Sequence, residues 1–143
     1  MDFLTNTSSA SDIQKHLEAC DKNFLHELTR KTNIELYSFK IKNFALCIEA
    51  WNSEQLVGLL AIYCNKLEYA FITNMSVLPE WQGKGISFHL MNNCIQHKNI
   101  QESKLIILQV KKTNFKAINF YKKFNFEKEK EDNTHLIMRL KLG

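Results

Sequence analysis

The sequence predicts a mixed α/β fold, in which a mixed sheet is flanked by about four helices. Three observations predict it. Apolar residues recur every three or four positions in some segments, as on a helix, and every second position in others, as on a strand. These segments follow one another in the order βααβββαβαββ, and such alternation is typical of helices packed on a sheet.

Two helices are expected before the first long strand. Ser11 and Asp12 can cap a helix that runs to about Cys20, because apolar residues recur there at helical spacing. Asn33 can cap a second helix, for which Asn43 offers a left-handed stop.

The apolar period then changes to that of strands. Strand-like runs cover residues 44–51, 56–64 and 70–77, and a short polar turn joins the first two as a hairpin. We therefore expect three consecutive antiparallel strands.

Beyond residue 85, helical and strand periods alternate. The pattern predicts an amphipathic helix over residues 86–98. Residues 105–110 are almost wholly apolar and predict a central strand buried on both faces. A helix over residues 114–124 is expected to stop at Asn125, and a hairpin leads into a last strand over residues 135–142.

The composition is typical of a soluble globular protein. The chain has 143 residues, of which 45% are hydrophobic and 24% charged, and this length predicts one domain over residues 1–143. Four glycines and one proline exclude collagen-like, low-complexity and linker-rich chains. Three of these five residues, Pro79, Gly83 and Gly85, lie close together, which indicates a special backbone conformation there.

Charge and cysteine content argue against several partners and sites. The net charge of +4, supplied almost wholly by lysine, is too small to indicate nucleic acid without a basic patch. Residues 127–131 alternate in sign and predict a solvated strand or turn. No Cys-x-x-Cys pair is present, so we expect no metal site and reduced, mostly buried thiols. The cysteines are Cys20, Cys47, Cys64 and Cys94.

Targeting signals are not evident in the sequence. It lacks a basic segment followed by an apolar one, and no apolar run approaches ~20 residues. We therefore expect a cytoplasmic protein with no membrane partner.

The proline and glycine cluster joins a predicted strand to a helix start. Its glycines leave backbone N–H groups uncovered and the helix dipole adds partial positive charge, so the turn suits a diphosphate. Lys84 adds a mobile cation. The glycine spacing of Walker and dinucleotide-binding loops is absent, and a turn that needs glycine for steric reasons is an equal alternative.

A second candidate site lies on the predicted helix over residues 114–124. Asn114, Ala117 and Tyr121 are spaced by three and four, so they share one helical face. A phenol two turns from a helix start can face a cleft at the end of the preceding strand. Two alternatives stay open: Asn114 as an ordinary N-cap, and Tyr121 as a core residue whose hydroxyl reaches the surface.

Together these segments resemble the signatures of the GNAT N-acetyltransferase superfamily, and the resemblance covers nearly the full chain. The family's acetyl-CoA signature, Gln/Arg-x-x-Gly-x-Gly/Ala, reads Gln-Gly-Lys-Gly-Ile-Ser at residues 82–87. Members commonly carry Asn-x-x-Ala-x-x-(apolar)-Tyr-x-x-x-Gly-Phe downstream, and residues 114–126 are similar to it. The departures are Ser87, in place of Gly or Ala, and Asn125, in place of Gly.

The resemblance implies a GNAT-like fold with a mostly antiparallel, twisted sheet and acetyl-CoA as co-substrate. Pantetheine would lie where strands 70–77 and 105–110 splay apart, with its amides paired to the first of these strands. The pyrophosphate would lie on the glycine turn, and Tyr121 would protonate the leaving thiolate. The cofactor-binding residues implied in this way are Met75, Ser76, Val77, Gln82, Gly83, Lys84, Gly85, Ile86, Ser87, Phe88, Asn114, Ala117 and Tyr121.

The resemblance leaves the general base unassigned. Some relatives carry a Glu five residues before the Asn of the second motif, but this chain has Gln109, which cannot accept a proton at neutral pH. Other candidate bases are each also explained as surface or packing residues. They are Glu68, Tyr69, His26 and His89.

The acceptor implied by the resemblance is a primary amine, on a small molecule or on a protein N-terminus or lysine. It would lie near the first two helices, the hairpin turns and the last strands. Aromatic and acidic residues in those regions, which core packing also explains, are Tyr37, Trp51, Tyr63, Glu68 and Tyr69.

Three functions are weighed from the sequence. The first is direct acetyl transfer in a ternary complex, because no cysteine occupies the position expected for the sulfur. The second is a CoA-binding sensor or structural module without turnover, for which Gln109 leaves room. The third, nucleic-acid binding, has only the modest positive charge in its favour. A homodimer stays open, since dimers are common in the family.

Overall fold

The computed structural model describes residues 1–20 and 28–143, with the backbone alone at residues 28–32. These residues form seven strands, five α-helices and one short 3-10 turn. In chain order they are β1 (Asp2–Thr5), α1 (Ala10–Cys20), α2 (Leu28–Phe44), β2 (Leu46–Asn52), β3 (Gln55–Tyr63), β4 (Ala70–Val77), the 3-10 turn (Pro79–Trp81), α3 (Ile86–Gln96), α4 (Lys98–Gln101), β5 (Leu105–Lys111), α5 (Phe115–Lys123), β6 (Glu127–Glu131) and β7 (His135–Lys141).

The strands form a mixed, mostly antiparallel sheet. They are hydrogen-bonded in the order β1-β2-β3-β4-β5-β7-β6. The pairs β1–β2, β2–β3, β5–β7 and β6–β7 are antiparallel, whereas β4 and β5 are parallel. The predicted fold class and element order are therefore confirmed, with the single-turn helix α4 as an addition.

The chain forms two compact units. The first comprises Met1–Ile62 and Asn74–Ile95, and the second comprises Tyr63–Thr73 and Gln96–Gly143. Strand β4 thus contributes its first half to the second unit and its second half to the first. A single domain over residues 1–143 stays a prediction.

In the first unit, α1 and α2 pack on one apolar cluster with β2 and β3. Its buried members are Ile13, Leu17, Ile34, Ile41, Cys47, Leu56, Leu59 and Ala61. Helix α3 approaches β3 at Gly58, where a Cβ would lie 2.9 Å from Ile86 Cγ2 and 3.1 Å from Leu90 Cδ1. The missing side chain of Gly58 therefore lets the first turns of α3 lie close to the sheet.

Glu49, on β2, is a buried carboxylate in the first unit. Its oxygens accept hydrogen bonds from the backbone N–H and the hydroxyl of both Thr7 and Ser8, and from Trp51 Nε1. Burial by itself would raise the pKa of Glu49, but these hydrogen bonds hold the pKa below its ordinary value. Since Thr7 and Ser8 immediately precede α1, Glu49 fixes the position at which that helix enters the unit.

In the second unit, β5 has one buried face. Ile106, Leu108 and Val110 are buried, but Gln109 is exposed. The expectation that β5 is buried on both faces was therefore wrong. The residues that alternate with the buried ones lie on the other face of the strand, which is less covered. The charged strand β6 is exposed along its whole length, as predicted for a solvated strand.

Helix α1 begins earlier than predicted. Ser9 Oγ accepts a hydrogen bond from the Asp12 N–H at 3.0 Å, and Asp12 Oδ2 accepts one from the Ser9 N–H at 2.9 Å. This reciprocal pair caps the helix. The cap is therefore Ser9, and Asp12 is its first-turn partner.

Helix α2 differs from its prediction at both ends. It is already helical at Leu28, before the expected cap Asn33, and it runs through Asn43 to Phe44. Asn43 Nδ2 donates to the Phe39 carbonyl at 2.8 Å, so the side chain binds within the helix and does not stop it. Asn125, by contrast, has a φ of 72°, as its predicted left-handed stop requires.

We predict that Glu49→Gln lowers the free energy of unfolding by about 3 kcal/mol, because an amide NH2 would face donors that now bind a carboxylate. Denaturant unfolding of both proteins measures the change. The matched control is Glu129→Gln on the exposed strand β6, for which no comparable loss is expected. Equal stability of wild type and Glu49→Gln would contradict the anchoring role of Glu49.

Candidate active site

The proline and glycine cluster forms the connection from β4 to α3 in the first unit. Gly83 and Gly85 both have positive φ, 79° and 81°. A Cβ placed at either glycine meets nothing within 4 Å. These glycines are therefore needed for their backbone conformation, which fits the alternative of a tight strand–helix turn as well as a diphosphate site.

The turn exposes its backbone at the start of α3. Gln82, Gly83, Lys84 and Gly85 are exposed, and α3 begins directly after them. The first N–H groups of a helix have no partner within the helix, and they carry the positive end of its dipole. The geometry therefore suits an anionic group such as a phosphate.

Gln82 also braces the turn. Its Nε2 donates to the Val77 carbonyl at 3.1 Å, which ties the turn back to the end of β4. The side chain thus has a structural partner, and it occupies the Val77 carbonyl that was expected to face a cofactor amide. Other predicted cofactor-binding residues flank this turn. Met75 and Ser76 lie on β4, and the first turn of α3 holds Ile86, Ser87 and Phe88.

A buried polar chain that sequence reasoning missed lies beside this end of β4. His16, on α1, is 3% exposed. Its Nδ1 lies 2.8 Å from the Leu56 carbonyl oxygen and its Nε2 lies 2.8 Å from Ser76 Oγ. Ser76 Oγ in turn lies 2.9 Å from Asn74 Nδ2. Burial lowers the pKa of His16, which keeps the imidazole neutral at pH 7.

The signal for His16 was present in the spacing of α1. His16 lies three residues after Ile13, and Leu17 lies four residues after Ile13, so both follow it at helical spacing, and all three side chains are buried. An imidazole on the apolar face of a helix needs partners for two ring nitrogens. The sequence alone does not say which residues supply them.

The second candidate segment lies in the second unit. Asn114 is the N-cap of α5, and its Oδ1 accepts from the Ala117 N–H at 3.2 Å. The N-cap interpretation of Asn114 is thus correct; its capping bond uses the side-chain oxygen, and the residue is exposed. Ala117 follows on the same face and is half-buried.

Tyr121 is buried on α5. Its ring packs against Phe126 and Phe120, with centroids 5.6 and 5.5 Å away. Burial raises the pKa of its phenol to about 12, so the hydroxyl stays protonated at neutral pH. Among the residues that the structure describes, no hydrogen-bond partner of this hydroxyl is found.

The predicted candidate bases have surface or packing roles. His89 is exposed, and its ring lies 5.1 Å from that of Phe3. Glu68 is exposed, and Lys66 Nζ donates to the Tyr69 hydroxyl at 3.2 Å. His26 lies outside the described residues.

The aromatic residues predicted to lie near the acceptor amine also have packing roles or are partly buried. Tyr37 and Trp51 pack against the apolar cluster of the first unit, and Tyr63 is half-buried. None of them lines the pocket of about 200 Å³ in that unit. Its lining residues are Asp12, Lys15, His16, Ala19, Glu54, Gln55, Leu56 and Leu78.

Neither a metal-binding cluster nor a membrane-spanning helix occurs within residues 1–20 and 28–143. No group of three His, Cys, Asp or Glu side chains there could hold a metal ion. No helix of that part of the chain is long and apolar enough to span a bilayer. No disulfide joins the four cysteines, of which Cys47 and Cys94 are buried and Cys20 and Cys64 half-buried.

Comparison with known proteins places this fold and turn among acetyltransferases. The chain matches the model of the Acetyltransferase (GNAT) family over residues 11–126. It therefore belongs to that family. An uncharacterised N-acetyltransferase of Methanocaldococcus jannaschii is 37% identical over 81 residues, 52% of this chain and 35% of that protein. The chain thus spans about a third of that relative's length.

Solved structures share the fold over nearly the whole chain. The PaiA N-acetyltransferase of Thermoplasma acidophilum, in complex with coenzyme A, is 18% identical, with a TM-score of 0.75 over 99% of both chains. The ribosomal-protein-S18-alanine N-acetyltransferase of Escherichia coli is 15% identical, with a TM-score of 0.75 over 99% of this chain and 95% of that one. At these identities the similarity shows the fold.

We predict that Gly85→Val weakens acetyl-CoA binding by about 10-fold or more. A β-branched residue is strained at a φ of 81°, so the turn must change and its N–H groups move. Isothermal titration with acetyl-CoA measures the effect, and unfolding without ligand controls for loss of the fold. An unchanged dissociation constant in a folded variant would contradict the phosphate-binding role of this turn.

Proposed function

We propose that the protein is an N-acetyltransferase that transfers an acetyl group from acetyl-CoA to a primary amine by direct attack. The observation that carries the proposal is the turn from β4 to α3. It holds the residues of the family's acetyl-CoA signature, and its two glycines have positive φ. Bound coenzyme A in the Thermoplasma acidophilum structure supports the same ligand.

The exposed turn fits the pyrophosphate of acetyl-CoA. Backbone N–H groups from Gly83 to Phe88 would bind its oxygens, and Lys84 would add a cation. Backbone groups of Met75 and Ser76 on β4 would pair with the pantetheine amides. Asn114 would use the side-chain NH2 that capping leaves available, and Ala117 would contact the cofactor.

The chemistry needs a proton donor for the leaving group. The amine nitrogen attacks the acetyl carbonyl carbon, so a C–N bond forms and the C–S bond breaks. Backbone N–H groups of β4 would stabilise the charge on the carbonyl oxygen. Tyr121 would protonate the sulfur, and its pKa of about 12 means that the phenol carries its proton at neutral pH before the reaction begins.

The acceptor is proposed only by class. The Escherichia coli enzyme of this fold is named for an alanine of ribosomal protein S18, which supports a protein N-terminus as one class of acceptor. Amines of small molecules and protein lysines remain alternatives. A cytoplasmic location and a homodimer also stay predictions.

A thiol-release assay with acetyl-CoA against a panel of amines and peptides tests the proposal. Thermal unfolding with and without acetyl-CoA accompanies it. Stabilisation with thiol release on one acceptor class supports the proposal and names the class. Stabilisation without release on the whole panel would favour the CoA-binding sensor, and salt-sensitive oligonucleotide binding without any CoA effect would favour nucleic acid.

We predict that Tyr121→Phe lowers kcat about 100-fold and leaves the dissociation constant of acetyl-CoA unchanged, because the ring is kept and the proton is lost. Steady-state kinetics and isothermal titration measure the two effects. Tyr37→Phe, which removes a hydroxyl from a ring packed in the first unit, is the matched control. Full turnover in Tyr121→Phe would remove Tyr121 from the catalytic role.

A further inference from the structure

The polar chain beside β4 has one arrangement of protons. The Leu56 carbonyl can only accept, so His16 Nδ1 carries the ring proton and His16 Nε2 is the acceptor, which Ser76 Oγ approaches at 2.8 Å and Cys20 Sγ at 3.4 Å. The Leu59 carbonyl, 3.2 Å from Asn74 Nδ2, likewise orients that amide so that it donates to Ser76 Oγ. Ser76 therefore directs its own proton at His16 Nε2.

Two backbone carbonyls thus polarise the whole chain in one direction. Asn74 donates to Ser76, Ser76 donates to His16, and His16 donates to Leu56. Ser76 is half-buried, whereas His16 is almost wholly buried. Ser76 is therefore the more exposed of the two residues that share the Oγ–Nε2 hydrogen bond, and the imidazole behind it is the group that can hold a proton.

We propose that Ser76 and His16 are the proton acceptor of the acetyl-transfer reaction, with Ser76 touching the amine and His16 acting through it. This inference rests on the proposed function. The proton acceptor is thereby shared by two elements. Ser76 lies on β4, in the segment proposed to bind pantetheine, and His16 lies on α1. His16 also supplies what Gln109 lacks, since a neutral imidazole accepts a proton and an amide does not.

The protons balance as follows. An ammonium acceptor gives one proton to Ser76 Oγ, and Ser76 passes its own proton to His16 Nε2. The free amine then attacks, and its nitrogen loses a second proton as the amide forms. The thiolate takes the Tyr121 proton, the second proton from nitrogen restores the Tyr121 phenol, and the first proton leaves His16 for water, so one proton is released for each acetyl group transferred.

The surroundings of His16 fit an imidazole that is positively charged only transiently, while it holds the transferred proton. Its Nδ1–H stays bound to the Leu56 carbonyl, which stabilises the imidazolium when it forms. His16 also lines the pocket of about 200 Å³, which gives the proton a route to water. Among the side chains that the structure describes, the titratable ones that face the ring or this pocket are Cys20, 3.4 Å from Nε2, with Asp12, Lys15 and Glu54.

The pH dependence of kcat tests the inference, with amine and acetyl-CoA both saturating. In the wild type, kcat should fall on the acid side with a midpoint below His16's ordinary pKa of 6.5, because burial lowers that pKa. His16→Gln should lower kcat about 100-fold and abolish this acid limb. The dissociation constant of acetyl-CoA should stay unchanged.

Ser76 variants keep the test open if His16→Gln fails to fold. Ser76→Ala should lower kcat about as much as His16→Gln, and Ser76→Thr should restore most of it because a hydroxyl returns. His89→Gln, an exposed histidine of the first unit, and Cys20→Ala are controls that should keep the acid limb.

Failure of this inference differs from failure of the proposed function. Thiol release with a full acid limb in folded Ser76→Ala would overturn the inference and leave acetyl transfer intact. Loss of the limb in His89→Gln or Cys20→Ala would also overturn it. No thiol release by the wild type on any amine would overturn both.

Discussion

The first unit depends on a buried carboxylate whose hydrogen-bond partners, among the described residues, are all neutral. Glu49 is fully buried, and five neutral donors from Thr7, Ser8 and Trp51 surround it. An ionised group tolerates burial only when such donors replace its water. The donors are in place only when the chain leaves β1, turns at Thr7 and Ser8, and enters α1 at one position. The hydrogen bonds that Glu49 accepts therefore determine where α1 starts.

That start determines which side chains of α1 reach the core. The cap formed by Ser9 and Asp12 begins the helix at Ala10, and Ile13, His16 and Leu17 then lie on its buried side. A shift of one residue would rotate the helix by about 100° and remove His16 from Leu56 and Ser76. The polar chain beside β4 is therefore a consequence of how Glu49 is satisfied.

Local patterns predicted the elements whose causes are local. Alternation over residues 70–77 predicted β4 with its observed bounds, and Asn125 adopts the left-handed conformation predicted for it. The errors have tertiary causes. Asn43 binds the Phe39 carbonyl and continues α2, and Gln109 breaks an apolar run whose second face is less covered. Neither effect is readable from spacing alone.

The candidate site likewise has one part with local causes and another part that depends on tertiary contacts. The glycine turn is local: the clustered proline and glycines indicated a special backbone conformation, and Gly83 and Gly85 both have positive φ. His16 was missed because its partners Leu56 and Ser76 lie 40 and 60 residues away. Five donors are needed to bury the charge of Glu49, whereas a neutral imidazole needs two partners. A neutral histidine therefore costs less to bury than an ionised carboxylate. It is also harder to recognise in the sequence, because apolar periodicity alone does not reveal it.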